Sequence, residues 1–245
     1  MIDYASLIPS HVQDIKPSGI RKFFDLVSSN PQAISLTVGE PDFVTPWHIR
    51  MAGIDSLEKG KTYYTANAGL AELRQEIAGY LDRRFGVKYD PMKEIIVTVG
   101  GSEAIDITFR ALLEPGDEVI IPMPAFVCYE PLARMAGGVP VIIETKEENN
   151  FKLTAEELRA ALTPKTKLLV LPYPNNPTGA LYPKEVLEQI VEVAREHQLM
   201  LFADEIYDRL VMDGEQHIST ASLAPDLFCV TFSGLSKSHM VCGFR

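Results

Sequence analysis

From residue 93 onward, short apolar runs rich in β-branched residues alternate with stretches of helical or loop character, and few architectures can use that pattern. The runs are Ile95 to Val99, Glu118 to Ile121, Val139 to Glu144, Lys167 to Leu171, Leu199 to Ala203 and Phe228 to Phe232. Each but the last leads into a crossover segment. Strands that alternate with crossovers pair in parallel and bury both faces under helices. The expected fold class is therefore α/β, a three-layer α/β/α sandwich around a mostly parallel sheet. Such sheets bind ligands beyond the carboxyl ends of their strands, so the loops after the runs are where chemistry is expected.

Upstream the pattern differs. Residues 1 to about 32 form an expected N-terminal arm with one helix, capped by Ser18 and running Gly19 to Ser28, with Ile20, Phe23, Phe24 and Val27 on one face. A short strand is expected over Ile34 to Val38, then a turn at Gly39-Glu40-Pro41-Asp42-Phe43. Helices follow at 46–58 and 70–85, the second with Leu70, Leu73, Ile77 and Leu81 at helical spacing. Between them Tyr63 to Gly69 is too rich in Gly and Asn to be regular.

Of the 245 residues, 46% are hydrophobic, enough for a large core, and 23 basic against 33 acidic residues give a formal charge of −10. That balance argues against nucleic acid or an anionic membrane as partner. Met1 to Ser10 lack the basic-then-apolar pattern of a leader, and no apolar run approaches the roughly 18 residues of a membrane span. Cys128, Cys229 and Cys242, an odd number without metal-ligand spacing, read as reduced thiols of a cytoplasmic protein.

Four post-strand segments carry chemistry. Gly100-Gly101-Ser102-Glu103 precedes an amphipathic helix, whose free N–H groups and partial positive charge suit a phosphate, although a plain glycine connector fits equally and the dinucleotide fingerprint is absent. Pro172 to Gly179 is a loop by composition, in which Asn176 either bonds its own backbone or donates to a ligand oxygen. Asp204 ends a buried run, where a carboxylate serves a ligand or caps a helix. Ser233 to Arg245 follows the last run and carries Lys237, an amine that could lose its proton and form a Schiff base with an aldehyde, and Arg245, a guanidinium fork for a phosphate.

Competing readings fail on spacing. A phosphate loop ending in Gly60-Lys61-Thr62 would need glycine at position 55, which is Asp55. A serine-lysine hydrolase would need serine at position 234, which is Gly234. None of the five histidines forms a zinc pair, and His239 reads as a loop residue rather than a base.

Taken in order, Gly39 in Val-Gly-Glu-Pro-Asp-Phe, Tyr64 before Asn67-Ala68-Gly69, Gly101-Ser102, Phe126 after Pro124-Ala125, Asn176-Pro177-Thr178-Gly179, Asp204 with Tyr207, and Lys237 with Arg245 resemble the class I/II (fold-type-I) aminotransferases. The resemblance covers nearly the whole chain, and its flavour is that of the aromatic, aspartate and alanine aminotransferases. It implies pyridoxal 5'-phosphate (PLP) as cofactor, held by Lys237 as a Schiff base, with Lys237 later moving a proton between the substrate α-carbon and the cofactor. Asp204 would pair with the pyridine nitrogen, Tyr207 and Asn176 with the 3'-oxygen, and Phe126 would stack on the ring. Gly101, Ser102 and Arg245 would hold the phosphate. Tyr64 would reach the phosphate of the other subunit of a homodimer, and Gly39 would lie near the substrate carboxylate. Residues 1–45 would be the arm and the start of a small domain, and 46–245 the PLP-binding large domain.

The expected activity is transfer of an amino group from an L-amino acid, of aromatic or related type, to a 2-oxo acid such as 2-oxoglutarate. A carbon-sulfur β-lyase of the same fold, or a non-catalytic PLP-binding fragment, would keep the same cofactor residues. In the family a further strand, a long helix and the small domain follow the arginine, so the chain is expected to be part of a longer protein. Gly234 stands where many relatives place a phosphate-binding serine, and Met240 replaces a usually small residue. The Asn176-Pro177 bond is expected to be cis, because the resemblance puts Asn176 in a tight turn at the ring edge.

Overall fold

The structure is a computed structural model describing residues 4–16, 19, 32, 34 and 39–244. Apart from residues 19 and 34, the expected helix over 19–28 and strand over 34–38 lie outside the described residues, as does Arg245. The described elements begin with α1 (Ser10–Gln13), α2 (Trp47–Glu58), α3 (Ala71–Phe85) and α4 (Gly101–Leu112). Strands and helices then alternate through β1 (Glu118–Met123), α5 (Tyr129–Met135), β2 (Val139–Glu144), α6 (Ala155–Ala161), β3 (Thr166–Pro172) and α7 (Lys184–Glu196). The last described elements are β4 (Met200–Asp204), α8 (Thr220–Leu223), β5 (Cys229–Phe232) and α9 (Leu235–Ser238).

The five strands form one wholly parallel sheet in the order β2-β1-β3-β4-β5. Successive strand residues face opposite sides, so each apolar run feeds two cores. On β3, Leu169 and Leu171 face one side with Leu158 of α6 and Leu187, Ile190, Val193 and Ala194 of α7. Leu168 and Val170 face the other, against Ile105 and Phe109 of α4 and Tyr129 and Ala133 of α5. This is the expected three-layer arrangement.

Local signals set the boundaries. Thr154 and Glu157 form a reciprocal capping box at the start of α6. The last turn of α3 closes on Gly86 at φ 69°, a left-handed conformation that glycine adopts without steric cost. Among the described residues, no helix is long and apolar enough to cross a membrane.

One expected strand is absent. Residues 95–98 have no regular structure, and Ile96 and Val99 are more than half exposed. The amide of Val97 donates to Ala68 O, a loop contact. A β-branched run becomes a strand only where a neighbouring ladder pairs with it, and among the described residues no strand runs alongside this one. The other five runs are strands within one or two residues of their expected limits.

Candidate active site

The carboxyl ends of β1, β3, β4 and β5 and the first turn of α4 meet at one edge of the sheet. Pairing of Pro172 with Asp204, and of Asp204 with Phe232, sets the three strand ends level. The loops that leave them therefore begin beside one another.

Asp204, the last residue of β4, is buried. Its Oδ2 accepts from the Tyr129 hydroxyl at 2.5 Å, and its Oδ1 from the Ile206 amide at 3.1 Å. Burial raises its pKa to about 7, with hydrogen bonds from Tyr129 and Ile206 pulling it down and the charge of Glu205 pushing it up. None of these influences is a cation. A buried carboxylate with donors on both oxygens and no positive partner suits the ring nitrogen of a pyridinium.

Tyr207 follows on the same loop and is half-buried. Burial raises its pKa, as do the charges of Asp204 and Cys242, while a hydrogen bond with Asn176 opposes them. The phenol of Tyr207 and the amide of Asn176 are thus adjacent. The Asn176 loop is held to the end of β1 by its neighbour: Asn175 Nδ2 donates to Pro124 O and to Thr178 Oγ1, both at 2.9 Å. The Asn176-Pro177 peptide is cis, as expected, as are Met123-Pro124 and Tyr173-Pro174.

Lys237 lies on α9. Its Nζ donates to the Gly39 carbonyl and sits 5.9 Å from the centre of the Tyr207 ring. A side chain at Gly39 would come within 3.9 Å of the Tyr207 hydroxyl. The 39–45 segment is tied to the loop beyond α9 a second time, by Thr45 Oγ1 donating to Met240 O at 2.5 Å. Met240 adopts φ 53°, a left-handed conformation that glycine takes more readily than any residue with a side chain.

Gly101 opens α4 beneath Phe232. A Cβ there would lie 2.5 Å from Phe232 Cζ, so no side chain fits without moving that ring or the start of the helix. The first-turn amides of α4 have no intrahelical acceptors and carry the positive end of the helix dipole. The Ser102 hydroxyl hydrogen-bonds with Cys128, whose thiol pKa is raised by burial. Phe126 packs edge-on against Tyr129, with ring centres 5.9 Å apart, which sets it beside the residue that holds Asp204.

Of the residues expected from sequence, the structure brings Gly39, Asn176, Tyr207 and Lys237 into direct or one-residue-removed contact, with Asp204 and Phe126 joined through Tyr129. Gly101 and Ser102 join the sheet edge through Phe232 and Cys128. Tyr64 is fully exposed on the loop between α2 and α3 and makes no described contact with this cluster. Arg245 lies outside the described residues.

Sequence reasoning missed Tyr129, Asn175 and Glu205. A buried tyrosine on an apolar helix face needs a partner for its hydroxyl, and that requirement was the available signal for Tyr129. Strand alternation was the signal for Glu205: next to Asp204, it must face away from the ligand side and find donors there.

Residues 31–245 match the profile of the family described as Aminotransferase class I and II, and the chain belongs to that family. It is 51% identical over 242 residues to the Bacillus subtilis (strain 168) protein YugH, whose name assigns it to the aminotransferases without a substrate; the match covers 98% of this chain and 62% of that protein. Similarity is also high to an aromatic-amino-acid aminotransferase of Thermococcus litoralis, 42% over 240 residues, covering 97% and 61% of the two chains. The Thermus thermophilus aspartate aminotransferase solved with maleate superposes with a TM-score of 0.91 at 43% identity, covering 97% of this chain and 63% of that one. The chain thus spans about 60% of the length of the curated relatives it matches. The class I and II aminotransferases are PLP-dependent, and the residues at the sheet edge fit that cofactor: an amine for its aldehyde, a buried carboxylate for its nitrogen, a phenol and an amide for its ring oxygen, and a helix N-terminus for its phosphate.

Proposed function

We propose that the full-length protein is a PLP-dependent aminotransferase that moves an amino group from an L-amino acid to a 2-oxo acid such as 2-oxoglutarate. The observation that carries this reading is the meeting of the Lys237 amine, the Tyr207 phenol and the buried Asp204 carboxylate at the ends of β4 and β5. Bound PLP supplies an electron sink that makes the substrate α-proton acidic enough to remove.

The protein residues do the rest. Lys237 would hold the cofactor through its aldehyde, and its freed amine would be the base that takes and returns the substrate α-proton. Asp204, oriented by Tyr129 and Ile206, would pair with the ring nitrogen and favour its protonated form. Tyr207 and Asn176 would hydrogen-bond the ring oxygen, and Phe126 would supply an apolar surface for the ring. The α4 amides of Gly101 and Ser102, joined by Arg245, bind the phosphate. Gly39, in contact with Lys237, borders the space for the substrate carboxylate.

Residues 46–245 form the cofactor-binding large domain in this reading, and 1–45 an arm leading into a small domain. In this reading the protein is a cytoplasmic homodimer with a composite site, in which Tyr64, exposed on its loop, reaches the partner's phosphate. The test is product formation by the full-length enzyme: glutamate from 2-oxoglutarate with an aromatic or acidic amino acid as donor, lost in Lys237→Ala. Release of pyruvate and ammonia from a cysteine conjugate without added oxo acid would replace this reading with a lyase.

A further inference from the structure

Glu205 follows Asp204 and turns the other way, into a closed compartment behind the sheet edge. Its side chain is 2% exposed, and both of its carboxylate oxygens are engaged. Oε1 accepts from Ser219 Oγ at 3.1 Å and from the Thr220 amide at 2.9 Å, and Oε2 lies 3.0 Å from His217 Nε2. The Glu205 amide donates to Phe232 O on β5 at 2.8 Å. His217, with a fully buried side chain, is wedged between Phe85 and Tyr173 at ring-centre distances of 5.5 and 5.1 Å, and its Nδ1 has no hydrogen-bond partner among the described residues. Tyr173 completes the compartment by donating to Ile218 O at 2.9 Å.

A buried carboxylate is costly unless it is fully hydrogen-bonded, and here three donors from one returning segment meet it. Folding alone does not require a charge at this position, because an apolar residue of similar volume often stabilises as well or better. The location gives the charge a purpose. The Ile206 amide that holds Asp204 Oδ1 is the next peptide after Glu205, and the peptide before it is pinned to β5. Fixing Glu205 from behind fixes where the Ile206 amide points, while Tyr129 fixes Oδ2 from the opposite side.

We propose that Glu205, clamped by His217, Ser219 and Thr220, is a positioning residue that sets the orientation of Asp204 towards the cofactor nitrogen. This rests on the reading of Asp204 as the partner of that nitrogen. A group acting through Asp204 should matter to the cofactor only while Asp204 carries its carboxylate, whereas a merely structural group would act independently of it.

The test is a double-mutant cycle in the full-length protein, titrating apoprotein with PLP by absorbance and measuring thermal unfolding separately. Glu205→Gln should weaken PLP binding by roughly tenfold and His217→Phe, which keeps the ring packing, by a similar factor, while either change in an Asp204→Asn background should add less than about twofold. Ser219→Ala removes one donor and should weaken binding by about threefold, with the same dependence on Asp204. If Glu205→Gln or His217→Phe does not fold, the Ser219→Ala cycle decides alone. Unchanged PLP affinity in folded variants, or effects that simply add to those of Asp204→Asn, would overturn the proposal. Unchanged affinity in Asp204→Asn itself would instead sink the underlying reading of Asp204.

Discussion

The Tyr129 hydroxyl donates to Asp204 Oδ2 at 2.5 Å, joining the first turn of α5 to the last residue of β4 across the buried side of the site. This bond holds the Asp204 pKa below where burial alone would put it. Tyr129→Phe should therefore raise the pKa above about 7, and the acidic limb of PLP binding should move up by roughly one pH unit. Titrating the cofactor-binding affinity of both proteins between about pH 6 and 9 measures the displacement.

Asp204 also shapes the pH dependence of stability in the cofactor-free protein. Its folded pKa of about 7 exceeds the ordinary 3.8, so between these values the folded chain keeps a proton that the unfolded chain has released. Raising pH through that window therefore destabilises the fold, and above about 7 the contribution is flat. The cost at the plateau is on the order of 4 kcal/mol, at about 1.4 kcal/mol per unit. Asp204→Asn should raise the melting temperature of the cofactor-free protein by several degrees near pH 8, with the difference vanishing towards pH 4. Added PLP should stabilise the wild type far more than this variant, as thermal scans at several pH values would reveal.

Gly101→Ala places a methyl group 2.5 Å from Phe232, whose ring stacks on Phe202 and has little room to yield. The start of α4 must move off β5. The variant should lose about 1–3 kcal/mol of stability by denaturant unfolding and bind PLP more weakly than it binds the phosphate-free aldehyde pyridoxal, relative to wild type.

Gly234 differs. Its backbone is extended at φ −174°, open to any residue, and an added Cβ would make ordinary contact with Ile206 at 3.6 Å. Gly234→Ser should fold normally and tighten PLP binding by a few-fold, about the worth of one hydrogen bond. Equal or weaker PLP affinity would show that the position does not face the phosphate.

The sheet was legible in the sequence because a buried parallel strand depends on little besides its own apolar run: Lys167 to Leu171 lies within one residue of the limits of β3, whose last five residues are buried. Ile95 to Val99 has the same composition and is not a strand, since pairing depends on a neighbour that a local pattern does not reveal. Asp204 and Lys237 stood out as candidates because each lies in a recognisable motif after a strand, and the structure sets Lys237 against Gly39 and Tyr207 and buries Asp204. Tyr129 and His217 did not stand out, because their roles come from partners 75 and 12 residues away. Distances of that kind are set by the packing of α5 and by the return of the chain before α8, neither of which has a local signature.

The assignment of Lys237 as the residue that holds PLP is tested most directly by the absorbance of the purified full-length protein, before and after borohydride, beside Lys237→Ala. The expected result is a near-visible band that borohydride removes, leaving the reduced cofactor covalently attached to Lys237, and that the variant lacks even with PLP bound. The same borohydride-sensitive band in Lys237→Ala, or reduced cofactor attached to another lysine, would contradict it.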